Sequence, residues 1–321
     1  MIMKYTLIFL TFIIISTGCA QENRTIAFYN IENLFDTIDG PNDDAEFLPN
    51  GKNEWTAARY ATKLERINQV VDAMQNPILI GLCEIENKKV VEDLFAASTK
   101  RSSFEIVHYE SVDARGIDVA LAYDPSLLKL QTSGIIRFQL DNPEHPYTRD
   151  ILWSKFTSGI DTIVAMVNHW PSRSGGQVES EPNRLKAAAN ATTFLDSLMK
   201  ASPKTKIVFM GDLNDYPNNM SAQLVAERLT PMITKSSGKF GGTYNYRGEW
   251  DVLDHILVSK NFFKGKNVKA VKKSGKIHSP DFIITEYKGD LVPKRNYAGP
   301  KYLDGYSDHL PVSIEVKVKV K

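Results

Sequence analysis

The sequence contains little cysteine and no excess of charge of either sign. Two cysteines among 321 residues cannot build a disulfide framework. Lysine and arginine together number 39 and aspartate and glutamate 38, which gives a formal charge of +1. A protein that binds nucleic acid through its overall charge would be far more basic. The hydrophobic fraction of 42% and the charged fraction of 24% are ordinary globular values, which excludes a disordered or coiled-coil chain.

Several organising features are also absent from the sequence. It has no internal repeat, no low-complexity tract and no linker rich in proline, glycine or serine. It has no cysteine–histidine cluster with the spacing of a zinc site either. The length lies in the upper range for one large domain. We therefore expect a single domain over residues 20–321, and we expect it to be a monomer.

Residues 1–19 are typical of a bacterial secretion signal. Lys4 precedes an apolar run over residues 5–15, which is too short for a bilayer span of ~20 residues. The run is followed by Ser16-Thr17-Gly18-Cys19, which resembles a lipobox, in which the cysteine becomes the acylated first residue of the mature chain. Ser16 stands where that motif prefers an aliphatic residue, so an ordinary cleaved signal is the alternative. We expect an exported protein, either anchored to a membrane through Cys19 or secreted.

Short apolar runs predict seven strands, most of them buried on at least one face. They cover residues 26–30, 78–83, 117–123, 162–169, 206–211, 252–259 and 312–320. The last run alternates apolar and polar residues, which is typical of an outer strand with one solvated face. Two helices are predicted, one after an N-cap at Thr56 and one over residues 183–200. The irregular order of these elements favours two packed sheets with helices outside over a regular barrel.

Acidic, amide and imidazole side chains occur at the ends of six predicted strands. They are Asn30 with Glu32, Glu84, Asn168 with His169, Asp212 with Asn214, Asp254 with His255, and Asp308 with His309. A turn explains any one of these groups, but turns do not require paired imidazoles and carboxylates. The set Asn30, Glu84 and Asp308 offers hard oxygen ligands. Such ligands suit Mg²⁺, with Mn²⁺ and Ca²⁺ as alternatives.

In these motifs the chain resembles the endonuclease/exonuclease/phosphatase family, which has a fold like that of deoxyribonuclease I. The most specific motifs are Gly211-Asp212-Leu213-Asn214 and Ser307-Asp308-His309-Leu310-Pro311. The segment Asn168-His169-Trp170-Pro171-Ser172-Arg173 is similar to a form found in a bacterial branch of the family. All the motifs occur in family order. The resemblance implies a four-layer α/β sandwich, with two mixed sheets flanked by helices and the site in a cleft at one edge of the sheets.

The resemblance also implies which residues bind the metal ion. Asn30 matches the asparagine of the family's first motif, and Glu84 matches its metal-binding glutamate. Asp308 matches the aspartate beside the catalytic histidine, which is often a further metal ligand. Whether one metal ion or two are bound stays open.

The remaining matches imply catalytic residues. Asp212 and Asn214 match the pair that orients the water or the phosphate, and Asp254 matches the carboxylate that holds His309. His169 matches a histidine of the nuclease and sphingomyelinase branches. A histidine held by a carboxylate suits a general base near neutral pH. The sequence leaves open whether Asp212 or His309 accepts the proton of the attacking water.

One departure from the family concerns a tyrosine that many members carry near the phosphate. Here the matching segment reads Asp113-Ala114-Arg115-Gly116-Ile117-Asp118, so we expect Arg115 to contact phosphate instead. Arg173 is a second candidate, because a guanidinium can bind two phosphate oxygens at once.

Together these features predict a metal-dependent phosphodiester hydrolase, and first of all an exported endonuclease that cuts DNA or RNA. Residues 260–276 contain seven lysines and no acid, which suits contact with a phosphate backbone. The alternative for this segment is a solvated hairpin whose lysines protect an edge strand. Two other functions remain open. One is a phosphatase or phospholipase C-like enzyme of the same fold, acting on an inositol phosphate or sphingomyelin, and the other is a surface-binding module without catalysis.

Overall fold

The computed structural model describes residues 20–143 and 146–320, so Cys19 and the predicted secretion signal lie outside the described residues. The strands are β1 Gln21–Leu34, β2 Pro77–Ile85, β3 Glu105–His108, β4 Asp118–Tyr123, β5 Lys129–Ile136, β6 Ile151–Ser158, β7 Asp161–His169, β8 Lys206–Asp212, β9 Thr230–Pro231, β10 Tyr244–Tyr246, β11 Glu249–Asp251, β12 Asp254–Val258, β13 Val268–Ala270, β14 Lys276–Ile277, β15 Ile284–Tyr287, β16 Asp290–Pro293, β17 Tyr297–Ala298, β18 Lys301–Tyr302 and β19 Val312–Lys319. The helices are α1 Ala57–Ala73, α2 Lys88–Ala96, α3 Gln177–Ala201 and α4 Met220–Ala226. Within the described ranges, no helix has the length and apolar character needed to cross a membrane.

Most of the strands belong to two large mixed sheets. The first sheet has seven strands in the order β13, β19, β1, β2, β4 and β3, with β14 also paired to β19. The second has six strands in the order β5, β6, β7, β8, β12 and β9. The β1–β2 and β7–β8 pairs are parallel, and the other pairs in these sheets are antiparallel. This is the predicted α/β sandwich.

The two sheets meet face to face across a close-packed apolar core. Phe28 and Gly81 are in register on β1 and β2 and face Met210 of the second sheet. A Cβ atom at Gly81 would lie 2.6 Å from the Met210 sulfur, so a larger residue here would force the Met210 side chain to move. On the outer side of the second sheet, Ala188 and Leu195 of α3 belong to the same buried cluster as Phe209.

The predicted helices form, with one change in α3. Thr56 caps α1 by accepting a hydrogen bond from the Arg59 amide. Helix α3 begins at Gln177, six residues earlier than predicted, and buries Arg184 completely. The Arg184 guanidinium lies 2.8 Å from the Asp215 carboxylate, which gives this buried cation a counterion.

The last predicted strand alternates as expected, but it does not lie at the edge of its sheet. In β19, Val316 is buried and Glu315 is exposed. The short strands β13 and β14 pair along its free side and form the edge instead. The lysine-rich segment 260–276 supplies β13 and the start of β14, as the edge-strand alternative expected.

Candidate active site

Strand register brings three of the predicted catalytic residues into one row at the edge of the second sheet. His169 at the end of β7 lies beside Asp212 at the end of β8. Asp212 is also directly opposite Asp254 at the start of β12. All three side chains are at least 96% buried. The row exists because a parallel pair and an antiparallel pair both place these residues at the same end of the sheet.

The first sheet contributes Asn30 and Glu84 to the same place. Asn30 is on the inner face of β1, and its side-chain amide donates to Glu84 at 3.2 Å and to Asp212 at 3.1 Å. Its oxygen accepts the amide of Glu32 at 3.0 Å. Glu84 sits at a register shift between β2 and β4 with φ of 59°, a left-handed conformation that is uncommon for a residue with a side chain. Asn30 thus joins the carboxylates of the two sheets.

His309 lies in the loop before β19 and extends into the same site. Its Nδ1 atom lies 2.8 Å from Asp254, and its Nε2 atom lies 3.7 Å from Asp212. The Ser307 hydroxyl fixes this loop, because it donates to the Asn30 carbonyl and accepts the His309 amide. Tyr244 packs on the imidazole with the ring centres 4.8 Å apart. The structure therefore brings the predicted His309–Asp254 pair together next to Asp212.

Burial and neighbouring charge move the pKa values of these groups in different directions. Burial raises the pKa of Asp212 to about 7, with Asp254 adding to the rise and His309 opposing it. Burial alone would lower the pKa of His309, but the Asp254 and Asp212 carboxylates raise it well above its ordinary value. Burial, reinforced by Arg149, lowers the pKa of His169 well below its ordinary value. Near neutral pH the site therefore holds a charged His309 and a neutral His169.

The residues present fit a divalent cation. The Glu84 side chain is 16% exposed, and among the described residues only Asn30 donates a hydrogen bond to it. His169 lies 3.8 Å away but is neutral, and no lysine or arginine of the described ranges pairs with Glu84. No ion pair with a lysine or arginine of the described ranges therefore neutralises its charge, and carboxylate oxygens are the ligands that Mg²⁺, Mn²⁺ and Ca²⁺ prefer.

Asp308, the other predicted metal ligand, has a cationic partner already. Arg295 lies 3.0 Å from the Asp308 carboxylate and 3.4 Å from that of Glu32. Glu32 also accepts the amide of Asn296 at 2.7 Å. Burial, followed by the charge of Asp308, raises the pKa of Glu32 to about 7, although Lys63 and Arg295 oppose the rise. A metal ion that used Asp308 would have to share it with Arg295.

Asn214 and Arg173 lie beside the row but use their polar atoms within the protein. The Asn214 side-chain amide donates to the Trp170 carbonyl at 2.9 Å, and its backbone amide donates to Asp212. The Arg173 guanidinium donates to the Asn214 carbonyl at 2.8 Å and stacks on Tyr216 at 3.7 Å. It also lies 3.3 Å from Asp215. These contacts position the loop after β8, and the predicted phosphate contacts of both residues stay predictions.

Arg115 has fewer contacts within the protein than Arg173, the other predicted phosphate ligand. It is exposed and donates to the Asn33 side chain at 2.8 Å. Arg149, which the sequence analysis did not consider, is nearly buried, with its guanidinium on Asp113 at 3.2 Å and on the Trp170 carbonyl at 2.8 Å. Both arginines lower the pKa of His169, which places their charge near the site.

Three further residues of the site were missed: Glu32 as a functional residue, Arg295 and Tyr244. Arg295 and Tyr244 lie on loops and hairpins that carry no family motif. Burial, followed by the Asp308 carboxylate, raises the pKa of Tyr244 to about 12, so its hydroxyl stays protonated. Tyr244 supplies a tyrosine to the site from another part of the chain than the family position. Glu32 was named with Asn30 at the end of the first predicted strand but was given no role.

Comparison with known proteins agrees with this arrangement. Residues 25–318 match the family model described as endonuclease/exonuclease/phosphatase family. A search of curated protein sequences gives no match. Among solved structures, a mannosyl-6-phosphatase from Bacteroides thetaiotaomicron is 16% identical with a TM-score of 0.59, over 91% of this chain and 99% of that chain.

Two eukaryotic structures are similar to the same extent. Truncated TDP2 from Caenorhabditis elegans is 15% identical with a TM-score of 0.56, and the match covers 92% of this chain and 97% of that chain. The catalytic domain of human Nocturnin is 14% identical with a TM-score of 0.54, over 92% of this chain and 95% of that chain. At these identities the similarity shows the shared fold.

Proposed function

The chain belongs to the endonuclease/exonuclease/phosphatase family, and from that premise we propose that it hydrolyses phosphate esters with a divalent metal ion. The observation that carries the proposal is the uncompensated Glu84 carboxylate beside the buried row His169, Asp212 and Asp254. Glu84 would hold the ion, and Asp308 would be a further ligand once released from Arg295. When bound, the ion would act as a Lewis acid on phosphate and leaving-group oxygens.

The side chains of the site divide the remaining work. Asp212, with a pKa near 7, is suited to accept a proton from water near neutral pH. His309, held charged by Asp254, is suited to stabilise the negative charge that develops on the phosphate. His169, being neutral, can donate a hydrogen bond to a phosphate oxygen without repelling the metal ion. This division favours Asp212 as the proton acceptor.

We propose that the substrate is a compact phosphate ester rather than a polynucleotide. A protein that tracks nucleic acid neutralises several phosphates along its groove. Here Arg149, Arg173 and Arg295 all pair with carboxylates of the chain. Arg115 is the exposed arginine without such a pair among those described near the site. The similarity in fold to a mannosyl-6-phosphatase agrees with a small ester.

An endonuclease is the second candidate, and the exposed Arg115 at the rim of the site favours it. It was the first expectation from sequence. The lysine-rich segment that supported that expectation begins after the far end of β12, at Lys260, whereas Asp254 at the near end faces the site. Nucleic acid could reach both only by extending past the cleft.

A substrate panel tests these proposals. The purified protein is incubated with a hexose 6-phosphate, an inositol phosphate, sphingomyelin, plasmid DNA and RNA, with Mg²⁺, Mn²⁺ or Ca²⁺ and with chelator. Metal-dependent release of phosphate from the small esters, with intact plasmid and RNA, is the expected result. Cleavage of plasmid or RNA that Glu84→Gln abolishes would favour the endonuclease instead. No chelator-sensitive hydrolysis of any substrate would refute the enzymatic proposal.

Export and anchoring are proposed on sequence alone. Acylation of Cys19 would place the protein in membrane fractions, and Cys19→Ser should release it or block its processing. A soluble, unmodified wild-type protein after signal cleavage would contradict the anchor.

A further inference from the structure

A cavity of about 910 Å³ lies between the edges of the two sheets, away from the candidate active site. It is lined by Thr230, Pro231, Met232, Thr234, Ser236, Ser237, Lys260, Phe263, Lys264, Lys272, Lys273 and Gly275. Asp254 begins β12 at the active site, and Lys260 follows the other end of the same strand. Six residues of extended chain separate them by about 20 Å. The cavity is therefore distinct from the catalytic cleft.

The charge of this cavity is entirely of one sign. Four exposed lysines line it, two from the 3₁₀ helix Lys260–Lys264 and two from the turn before β14. Within the described ranges none of the four forms an ion pair, although many other lysines do, including Lys235 with Asp251. The two wall segments, residues 230–239 and 260–275, contain no aspartate or glutamate. Four lysines thus line one cavity without an ion-pair partner among the described residues.

The other lining groups complement those charges. Four hydroxyl side chains, from Thr230, Thr234, Ser236 and Ser237, line the wall supplied by β9 and the segment after it. Hydroxyls and ammonium groups are both donors to phosphate oxygens. Met232 and Phe263 supply the apolar part of the lining. The volume is that of a pocket for a small molecule.

We propose that this lysine-lined cavity is a second anion site, and that it binds a compact ligand bearing several phosphate groups. A multiply charged phosphate would supply the missing negative charge to all four lysines at once, and the hydroxyls would complete its hydrogen bonds. A single carboxylate would satisfy only part of the set. The site is independent of the hydrolytic reaction, because its lining includes none of the residues of the cleft.

The test measures binding of inorganic tripolyphosphate by calorimetry, in chelator so that no metal-bound phosphate contributes. The wild-type chain should bind it, and Lys272→Gln/Lys273→Gln should weaken binding by at least about tenfold, because two charge-assisted contacts are lost. The matched control is Lys317→Gln/Lys319→Gln, which removes the same charge from β19 outside the cavity. The control should change the affinity by less than about twofold, since neither lysine lines the cavity and exposed charges that do not contact the ligand are screened by salt.

Three outcomes would overturn the proposal. The first is no binding of tripolyphosphate by the wild-type chain. The second is an equal loss in the β19 control, which would mean that only overall charge matters. The third is binding of a DNA duplex, but not of tripolyphosphate, that depends on Lys272 and Lys273. That result would assign the lysines to an extended nucleic-acid surface. All four substitutions are at surface or partly exposed positions, and unfolding curves would verify that each variant is folded.

Discussion

The two ends of strand β12 use charge in opposite ways. At the Asp254 end, carboxylates and imidazoles are buried and each contacts the next, from Glu84 through Asn30 and Asp212 to His309 and Asp254. At the Lys260 end, lysines are exposed around an open cavity and form no ion pair within the described ranges. Buried groups in contact fix one another's protonation and orientation, whereas solvated lysines act independently. The first end is therefore built for chemistry and the second for binding.

The largest expected effect is at the buried end. His309→Asn should lower the turnover of the preferred substrate by about 10²- to 10⁴-fold, the range of a general acid–base or charge-stabilising residue. Asp254→Asn added to it should cost little more, because residues acting as a unit are strongly non-additive. His108→Asn is the matched control, since His108 forms a 2.9 Å pair with Asp118 outside the row. Steady-state kinetics of the single and double variants check this, and fully multiplicative losses would separate the two residues.

Binding of the metal ion should depend on Glu84. Glu84→Gln keeps the shape of the side chain but removes its charge. The affinity for Mn²⁺ should therefore fall by about 10- to 100-fold or more, because even the loss of a residue that only supports a metal ligand usually has an effect of that size. Glu86→Gln is the control, because that buried carboxylate accepts the Asp36 amide at 2.7 Å instead. Calorimetric titration measures both. Equal affinities in Glu84→Gln and wild type would place the ion elsewhere.

A buried histidine directly after β14 should make stability depend on pH. Burial, with the charge of Lys276, lowers the pKa of His278 to about 4. The unfolded chain binds a proton at this histidine near pH 6.5, whereas the folded chain binds it only near pH 4. The stability that depends on a neutral His278 is therefore complete above about pH 6.5 and is lost as the pH falls towards about 4. Between pH 7 and 5 it amounts to about 2 kcal/mol of unfolding free energy. Urea unfolding of wild type and His278→Gln at both pH values measures the difference. Equal acid sensitivity in the two proteins would refute it.

Arg295 should contribute a smaller amount to stability while restraining Asp308. Arg295→Gln leaves Glu32 and Asp308 without their cation, but the arginine side chain is 45% exposed, so the loss should be about 1 kcal/mol. If Asp308 binds the metal ion, this variant should bind Mn²⁺ more tightly than wild type. Urea unfolding measures the change in stability, and metal titration measures the change in Mn²⁺ affinity. Unchanged metal affinity would argue against Asp308 as a ligand.

The smallest effect is expected at the lysine end. Replacing Lys272 and Lys273 by Gln should change the unfolding free energy by less than about 0.5 kcal/mol, because exposed positions outside a packed network contribute little. Turnover of a small ester should also stay unchanged. A clear loss of turnover would connect the two ends of β12 and would contradict their separate roles.

Much of the fold could be predicted because its elements are local. The strand ending at Asp212 and the cap at Thr56 follow from residue patterns over a few positions, and both are present in the structure. The residues of the candidate site were found because they lie in short motifs at strand ends. Register then explains why His169, Asp212 and Asp254 meet, since parallel and antiparallel partners bring the same strand ends together.

The remaining features depend on contacts between distant parts of the chain. Arg295 reaches Glu32 across 263 positions, and no spacing rule predicts that a loop arginine will pair with that carboxylate. The ion pair between the buried Arg184 and Asp215 is likewise a contact between separate elements of the chain. The sequence showed that residues 260–276 are rich in lysine, but only the tertiary structure places four of those lysines around a cavity. Residues that are neighbours in sequence determine the local motifs, whereas the position of a charge relative to the site depends on how the sheets pack.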